Sequence, residues 1–348
     1  MINIGIVGAA GYSGVELIKL LLNHPEAEIK KLYGQSTAGL RIDEVHTCLR
    51  NLISLQIENF SEESLNELDV IFVALPSGQA FEFVKAAYNN NVKVIDIGGD
   101  FRLKNMDDYK KYYKHEHKAQ ELIENSVYGL SEWNENAISK AKIVSNPGCY
   151  PTSILLALLP LLKNDLIDNS FVSIVSYSGT SGAGKSAVQN MIFSEVNENV
   201  RAYKVGNHQH IPEIKYYLES FGNKSVNFSF VPHLLPATRG IYTTINAQMK
   251  KGVDDKLIKE VYLTTYSSKP FIRFLENSIP EMKDVAYTNF CDIGFVINEN
   301  HTITVFSTID NLVKGAAGQA VQNMNILFDL PQETGLLKWN KNMKLQLK

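Results

Sequence analysis

The sequence of 348 residues predicts an α/β protein, with a Rossmann-like, doubly wound parallel sheet joined to a second domain of the α+β class. Short apolar strands alternate with amphipathic helices over the first third of the chain, which is typical of a parallel sheet with helices on both faces. The middle of the chain is rich in strand-like segments, which favours a mixed or largely antiparallel sheet. We therefore expect one domain at 1–146 and a second domain at 147–311.

In the first domain, the hydrophobic pattern places each element in order. Helices are expected at Ser13–Asn23 and Ala80–Asn90, and buried-type strands at Ile2–Val7, Ile29–Tyr33, Val70–Leu75, Val92–Ile97 and Ile143–Val144. A later helix at Val313–Leu327 is rich in small residues, which permit close packing. We expect a C-terminal helical segment, 312–348, to pack back on the first domain and complete it.

In the second domain, one helix is expected at Val253–Tyr266. Strands are expected at Phe171–Ser178, Val226–Pro232 and Gly240–Gln248, and a hairpin at Phe290–Ile297 with Thr302–Ile309.

The composition excludes several classes of protein. Lys plus Arg total 34 and Asp plus Glu total 37, so the net charge of -3 gives no reason to expect nucleic acid or an anionic membrane as partner. No apolar run approaches the roughly 20 residues of a membrane-spanning helix. The N-terminus lacks the features of a secretory signal, and three cysteines make a disulfide scaffold improbable, so we expect a cytoplasmic protein. Two of these cysteines, Cys48 and Cys291, are expected to be small buried residues.

The turn after the first strand predicts a dinucleotide site. It contains Gly8, Gly11, Tyr12, Ser13 and Gly14, in the spacing GxxGxxG. Glycines at this position permit a tight turn and let backbone N–H groups approach a pyrophosphate at the positive end of a helix.

The sequence favours NADP over NAD. Folds that prefer NAD usually carry an acid at the end of the second strand, and residues 32–37 contain none. Ser36 and Arg41 are instead suited to the 2′-phosphate of NADP. Pro76 and Ser77 follow a parallel strand and are expected at the ligand-binding edge of the sheet.

Cys149 is the candidate nucleophile. It follows the turn Asn146-Pro147-Gly148 and precedes the apolar helical segment Ile154–Leu162. A helix N-terminus carries partial positive charge, which favours thiolate over thiol.

The thiol needs a proton partner, and His208 and His210 are the candidates. They lie two residues apart just before Pro212, on no evident helical face. A metal site formed with Glu213 lacks a third ligand at a recognisable spacing, so we expect no metal.

These segments together resemble the N-acetyl-gamma-glutamyl-phosphate reductases, within the aspartate-semialdehyde dehydrogenase-like group. The resemblance is carried by GAAGYSGVELIKLL, GGDFRL, VSNPGCYPTS, SGTSGAGKSA, GNHQHIPEI, PHLLPATRGIYTT and DNLVKGAAGQAVQNMN, which extend from residue 8 to residue 326. Two departures stand out: the family usually has arginine where this chain has Gln209 and Lys185.

The resemblance implies a catalytic Cys149 thiol, a histidine acid/base at His208 or His210, and NADP as cofactor. Candidates for the substrate's phosphate and carboxylates are Arg102, Asn146, Lys185 and Arg239, and Asn311 is expected near the nicotinamide. The family usually forms homodimers or homotetramers.

The implied activity is NADPH-dependent reduction of N-acetyl-glutamyl 5-phosphate to the semialdehyde through a Cys149 thioester, in arginine biosynthesis. One alternative keeps this chemistry with an N-succinyl-glutamyl phosphate, or with the carrier-linked aminoadipyl phosphate of lysine biosynthesis. The other is a non-catalytic regulator that binds NADP.

A rival motif is present at residues 179–186, which match the P-loop pattern GxxxxGK[ST]. The surrounding strands favour an antiparallel sheet, and no apolar strand ending in Asp follows to hold magnesium. We therefore expect no nucleotide triphosphatase activity, and the resemblance explains the segment as an anion-binding loop on the substrate side.

Overall fold

The computed structural model describes residues 1–185 and 188–337, and the strands within these ranges form two seven-stranded sheets. The first sheet contains Ile2–Val7 (β1), Ala27–Tyr33 (β2), Ile57–Glu58 (β3), Val70–Val73 (β4), Lys93–Asp96 (β5), Ser126–Tyr128 (β6) and Ile143–Ser145 (β7). The second contains Ile167–Ser178 (β8), Arg201–Ala202 (β9), Phe228–Leu234 (β10), Ile241–Met249 (β11), Ile272–Phe274 (β12), Cys291–Ile297 (β13) and Thr302–Ile309 (β14).

The α-helices of the first half are Tyr12–Leu21 (α1), Ile42–Val45 (α2), Phe81–Asn89 (α3), Met106–Tyr113 (α4), Ser131–Ile138 (α5) and Cys149–Lys163 (α6). Those of the second half are Phe193–Val196 (α7), His210–Gly222 (α8), Asp255–Tyr266 (α9), Met282–Val285 (α10) and Gly318–Leu327 (α11). A π-helical turn at Val313–Ala317 leads into α11. In the described ranges, no helix combines the length and apolar character needed to cross a membrane.

The first sheet is parallel throughout, in the order β3-β2-β1-β4-β5-β7-β6. Its side chains alternate between two buried cores, as the period of a strand requires. Val70 and Phe72 pack on the side of α1 and α11, while Ile71 and Val73 pack on the side of α3 and α4. The predicted doubly wound sheet is therefore confirmed.

The second sheet is mixed, in the order β12-β13-β14-β11-β8-β10-β9. β10 runs parallel to β8 and β12 parallel to β13, while the other pairs are antiparallel. Helices α6, α8 and α9 pack with one face of this sheet in a third apolar core. The predicted mixed sheet and the β13–β14 hairpin are thus confirmed.

Helix α8 was not expected from the sequence, because Pro212 interrupts its pattern. Proline is tolerated here because it occupies the first turn of the helix, where backbone N–H groups have no intrahelical acceptor. As a result, His210 is a helical residue and Glu213 lies one turn into the helix. Strands β3 and β6 were also missed, since two or three residues carry too short a hydrophobic pattern.

The C-terminal segment packs on the first domain through α11, which is shorter than the predicted helical segment. The α11 helix ends at Leu327, Asp329 adopts a left-handed conformation with φ of 54°, and the Leu330 N–H returns to the Asn325 carbonyl at 2.8 Å. Residues 338–348 of the expected segment lie outside the described residues.

A buried ion pair joins this C-terminal segment to α5. Lys314 Nζ lies 2.6 Å from Glu132 Oε1, and both side chains are fully buried. Gln322 donates to the same carboxylate oxygen at 2.9 Å and accepts from Lys314 at 2.8 Å. Because a buried charge is costly without its partner, the pair fixes the position of the π-helical turn relative to α5.

We expect Lys314→Met to destabilise the protein by about 3–5 kcal/mol, since it leaves Glu132 as an uncompensated buried charge. The midpoint of urea unfolding measures the effect. Lys110→Met is the matched control, because the Lys110–Glu116 pair has side chains 64% and 67% exposed and should contribute little. Equal midpoints for the two variants would contradict the assignment.

Candidate active site

Cys149 is the first residue of α6, directly after the turn that follows β7, as the sequence predicts. Gly148 precedes it in an extended conformation. The half-buried thiol lines a cavity of about 370 Å³. Gly315 of the π-helical turn packs closely against Cys149. A Cβ added at residue 315 would lie 2.7 Å from the Cys149 Cβ. Glycine is therefore needed at this position for the two segments to approach.

Glu213 holds the turn that carries Cys149. One carboxylate oxygen accepts hydrogen bonds from the Gly148 N–H and the Tyr128 hydroxyl, each at 2.8 Å. The other oxygen lies 3.5 Å from the Arg102 guanidinium. Burial raises the pKa of Glu213, whereas Arg102 and the two hydrogen bonds act in the opposite direction. The buried carboxylate is thus a support for the nucleophile turn from α8.

Arg102 and Asn146 support the same turn, and their predicted role in substrate binding stays a prediction. Arg102 donates to the carbonyl oxygens of Asn146 and Ile97, each at 2.8 Å, and is 6% exposed. The Asn146 side chain donates to the Ala316 carbonyl at 3.1 Å and accepts from Asn323 at 3.0 Å. Both side chains are already bonded within the protein, so we assign them to positioning Cys149.

His208 and His210 both line the Cys149 cavity. The His208 Nδ1 accepts a hydrogen bond from the His210 backbone N–H at 3.1 Å, which fixes the His208 ring. His210 Nε2 lies beside the nucleophile turn, because a Cβ added at Gly148 would meet it at 2.5 Å. Burial lowers the pKa of His208 to about 3 and that of His210 well below its usual value. Both imidazoles are therefore neutral at pH 7.

Burial raises the pKa of the Cys149 thiol to about 11. The positive charge of Arg102 and the Tyr150 N–H lower this pKa, and the charge of Glu213 raises it further. Burial therefore opposes the thiolate that the sequence predicts at this helix end. Desolvation outweighs the helix end, so the thiol is neutral and must lose its proton to a base.

The glycine turn between β1 and α1 fits a dinucleotide phosphate. Gly8 has φ of +81°, and a Cβ there would lie 2.4 Å from the Ala74 carbonyl oxygen. A Cβ at Gly14 would lie 2.4 Å from the Gly8 oxygen. Gly11 precedes α1 with no side-chain cap, and the first turn of the helix contains no acid. Backbone N–H groups at this positive helix end are therefore available to an anion.

A second cavity, of about 590 Å³, adjoins this turn. Its lining includes Tyr12, Lys19, His46, Lys185 and Arg239. Lys185 thus lies in the lining of this second cavity, and its predicted contact with the substrate stays a prediction. Arg239 is paired with Glu16 at 2.6 Å and with Asp310 at 3.4 Å, so its charge is already compensated.

Ser36 lies exposed just after β2, close in sequence to Arg41. Arg41 contacts both carboxylate oxygens of Asp43, at 3.1 and 2.6 Å, an acid that the reading of residues 32–37 did not include. Pro76 and Ser77 follow β4, and the next turn is fixed by the Gly78 N–H, which donates to Asp100 at 2.7 Å.

Asn311 holds the loop that follows β8. Its oxygen accepts from the Gly240 N–H at 2.8 Å, and its amide donates to the Ser181 hydroxyl at 3.0 Å. Asn311 is 2% exposed and supports this loop, and its predicted place near the nicotinamide stays a prediction. Cys291 is buried as expected, but Cys48 is exposed, contrary to expectation.

Several site residues were missed. Glu213 was considered only as a metal ligand, and no cluster of metal-ligating side chains occurs in the described ranges. Because Pro212 argued against a helix at this point, the sequence did not predict α8 or the position of Glu213 on it. Arg201, Tyr203 and Lys204 line the Cys149 cavity, although no motif marks them. Their position just before the two histidines was the available signal.

The comparisons identify both halves of the chain. Residues 3–141 match the NAD-binding domain of semialdehyde dehydrogenases, and residues 149–311 match the semialdehyde dehydrogenase dimerisation domain. Among solved structures, aspartate semialdehyde dehydrogenase II from Vibrio cholerae complexed with ASA is 18% identical, with a TM-score of 0.73 over 94% of this chain and 98% of that chain. Aspartate semialdehyde dehydrogenase with NADP from Candida albicans is 16% identical, with a TM-score of 0.69 over 94% and 98%. These structures share the fold.

The curated relatives are closer in sequence. N-acetyl-gamma-glutamyl-phosphate reductase from Pelotomaculum thermopropionicum is 47% identical over 96% of this chain and 97% of its own length. The protein of the same name from Caldicellulosiruptor bescii is 46% identical over 97% of this chain and 98% of its own length. The chain therefore belongs to the N-acetyl-gamma-glutamyl-phosphate reductase family.

Proposed function

We propose that the protein reduces N-acetyl-glutamyl 5-phosphate to N-acetyl-glutamate 5-semialdehyde with NADPH, a step of arginine biosynthesis. The observation that carries the proposal is the shared cavity of Cys149, His208 and His210, in a chain of this family. A thiol beside a neutral imidazole is the arrangement required for covalent acyl transfer.

The first step is formation of a thioester on Cys149. His210 accepts the thiol proton, the sulfur attacks the acyl carbonyl, and the carbon–oxygen bond to phosphate breaks, so that phosphate leaves with its bonding electrons. The Gly148 N–H is committed to Glu213, whereas Cys149 begins a helix whose first N–H groups lack intrahelical acceptors. These groups are suited to stabilise the oxyanion that develops on the carbonyl.

His210 is our choice for the acid/base, with His208 as its support. His210 Nε2 lies against the turn that carries Cys149, and burial keeps the ring neutral. His208 accepts from the backbone of His210 and packs edge-on to Tyr150, at 5.5 Å between ring centroids. When the aldehyde forms, the carbon–sulfur bond breaks with its electrons on sulfur, and the protonated His210 returns its proton to the Cys149 thiolate.

The cofactor site is assigned to the glycine turn and the second cavity. NADPH, when bound, supplies the hydride that reduces the thioester to the aldehyde and frees the thiol. Gly8, Gly11 and Gly14 would admit the pyrophosphate, with Tyr12 and Ser13 at the start of α1. Ser36 and Arg41 would hold the 2′-phosphate that distinguishes NADP, with Pro76, Ser77 and Lys185 as further contacts.

We also propose that the chain forms a homodimer through its second domain, residues 147–311. Residues 1–146 and the C-terminal segment would form the domain that holds the cofactor. The support is an aromatic surface on β8, β11 and β14. Tyr177, Tyr242 and Phe306 are only half-buried, on the sheet face opposite the third apolar core. A half-exposed aromatic surface of this kind is suited to self-association.

The purified protein is expected to form NADPH from NADP, phosphate and N-acetyl-glutamate semialdehyde, with NAD at least about tenfold less effective in kcat/KM. Cys149→Ser should lower turnover by about 10³-fold or more while NADP binding persists. A preference for N-succinyl or carrier-linked aminoadipyl semialdehyde would contradict the proposed acyl chain. NADP binding without turnover of any of these substrates would indicate a regulator.

His210→Asn should lower kcat by about 10²- to 10⁴-fold, because it removes the base that takes the thiol proton. His208→Asn should have a smaller effect, since the amide can still accept from the His210 N–H. Steady-state rates of the two variants give the comparison. A larger loss for His208→Asn would reverse the two roles.

Alkylation of Cys149 by iodoacetamide should accelerate about tenfold per pH unit between pH 7 and pH 9, because the raised thiol pKa keeps the thiolate fraction small throughout this range. Mass spectrometry of a Cys48→Ser variant isolates the signal, since Cys291 is fully buried. A Cys48→Ser/Cys149→Ser protein gives the background. A rate that reaches a plateau below pH 8 would show a preformed thiolate instead.

A further inference from the structure

The cavity that holds Cys149 has a positively charged wall whose role the proposed chemistry leaves open. Arg201 and Lys204 line it, and we name them the cation pair. Among the described residues that line this cavity there is no Asp or Glu. Its volume of about 370 Å³ lies within the range of small-ligand sites. The charge of this wall is therefore not compensated by an acid in the cavity lining, which suits an anionic ligand.

The backbone of β9 directs Arg201 into the cavity. Arg201 pairs with Leu234 and Ala202 with His233 at the edge of the second sheet. The Tyr203 N–H continues this pairing by donating to the Pro232 carbonyl at 3.0 Å. Because alternate residues of a strand point to the same side, Arg201 and Tyr203 face the cavity together while Ala202 is exposed.

Further contacts hold the side chains of this wall. The Lys204 ammonium donates to the Gln209 oxygen at 3.0 Å, and Gln209 lies between the two histidines. The Tyr203 hydroxyl donates to the Tyr150 hydroxyl at 3.1 Å, which ties the wall to the residue after Cys149. Arg201 donates to the Asn190 carbonyl with one of its two terminal nitrogens. Since a guanidinium has five N–H donors, it retains others for a ligand.

The substrate of the proposed function carries two anionic groups at opposite ends of the acyl chain. The phosphate is bonded to the carbon that Cys149 attacks, so it departs beside the thiol, where Arg102 supplies positive charge. The α-carboxylate lies at the far end of the chain, away from the reacting carbon. Arginine suits a carboxylate, because the planar guanidinium and the planar carboxylate form two parallel charge-assisted hydrogen bonds. A lysine on the same cavity wall adds a second positive charge.

We propose that the cation pair, Arg201 and Lys204, binds the α-carboxylate of the acyl substrate and thereby selects for amino-acid semialdehydes. This assignment rests on the proposed function and names its specificity-determining contact. Gln209 acts through Lys204, by holding its ammonium toward the cavity.

The reverse reaction separates the two anions, because phosphate and semialdehyde are then different substrates. For Arg201→Gln and for Lys204→Gln, the KM for N-acetyl-glutamate semialdehyde should rise about 10- to 100-fold. The KM for phosphate and the kcat should stay within about threefold of the wild type. Lys215→Gln, on the exposed side of α8, is the matched control and should leave all three constants unchanged.

A substrate without the carboxylate completes the test. On 4-acetamidobutanal, which lacks only that group, both variants should equal the wild type in kcat/KM, because the contact they lose is absent. A loss of equal size on this analogue would overturn the proposal, since it would indicate a structural role. A rise in the KM for phosphate alone would also overturn it, by assigning the cation pair to the leaving group.

Wild-type turnover of N-acetyl-glutamate semialdehyde is measured first. If the wild type does not turn over this substrate, both the proposed function and the proposed role of the cation pair are overturned. An active wild type with unaltered variants would overturn the cation pair alone. Arg201→Lys keeps the positive charge and should recover part of the affinity for N-acetyl-glutamate semialdehyde that Arg201→Gln loses. This recovery would show that the effect of Arg201→Gln comes from the lost charge and not from a defect in folding.

Discussion

The site depends on one buried carboxylate. Glu213 on α8 accepts the Gly148 N–H at 2.8 Å, directly before the nucleophile, and faces Arg102, which bonds the carbonyl of Asn146. One carboxylate and one guanidinium therefore fix both ends of the turn, from opposite domains. The cost of burying these charges is offset only while they remain paired and hydrogen-bonded, so the turn has little freedom to move.

The same burial decides the protonation states. A desolvated thiol holds its proton more firmly and desolvated imidazoles hold theirs less firmly, so Cys149 is neutral with a pKa of about 11 beside neutral histidines. Transfer of the proton from sulfur to nitrogen therefore turns two neutral groups into a thiolate–imidazolium pair, which burial disfavours. A thiol that keeps its proton is a weaker nucleophile than a thiolate, so burial lowers the reactivity of Cys149 in the absence of a base.

The sequence was sufficient for features that depend on local pattern. Hydrophobic periodicity predicted the long strands and α1, and turn chemistry placed Cys149 at the start of α6. It was insufficient where partners come from distant segments. Because Arg102 is an arginine, the sequence predicted that it binds a substrate anion. In the structure its guanidinium faces the Glu213 carboxylate, which lies 111 positions further along the chain. Desolvation of the thiol likewise depends on Gly315 and its neighbours, which no local pattern brings next to Cys149.

The return of α11 to the first sheet has a consequence for synthesis on the ribosome. One face of that sheet is covered by Ala317, Ala320, Val321 and Met324, so residues 1–146 alone leave an apolar surface open. Gly315, which closes over Cys149, is made in the same late segment. We therefore expect the nascent chain to complete its first core and its thiol site almost together, after Leu327 has emerged. Until then the growing polypeptide carries an unfinished hydrophobic face, which is prone to aggregation.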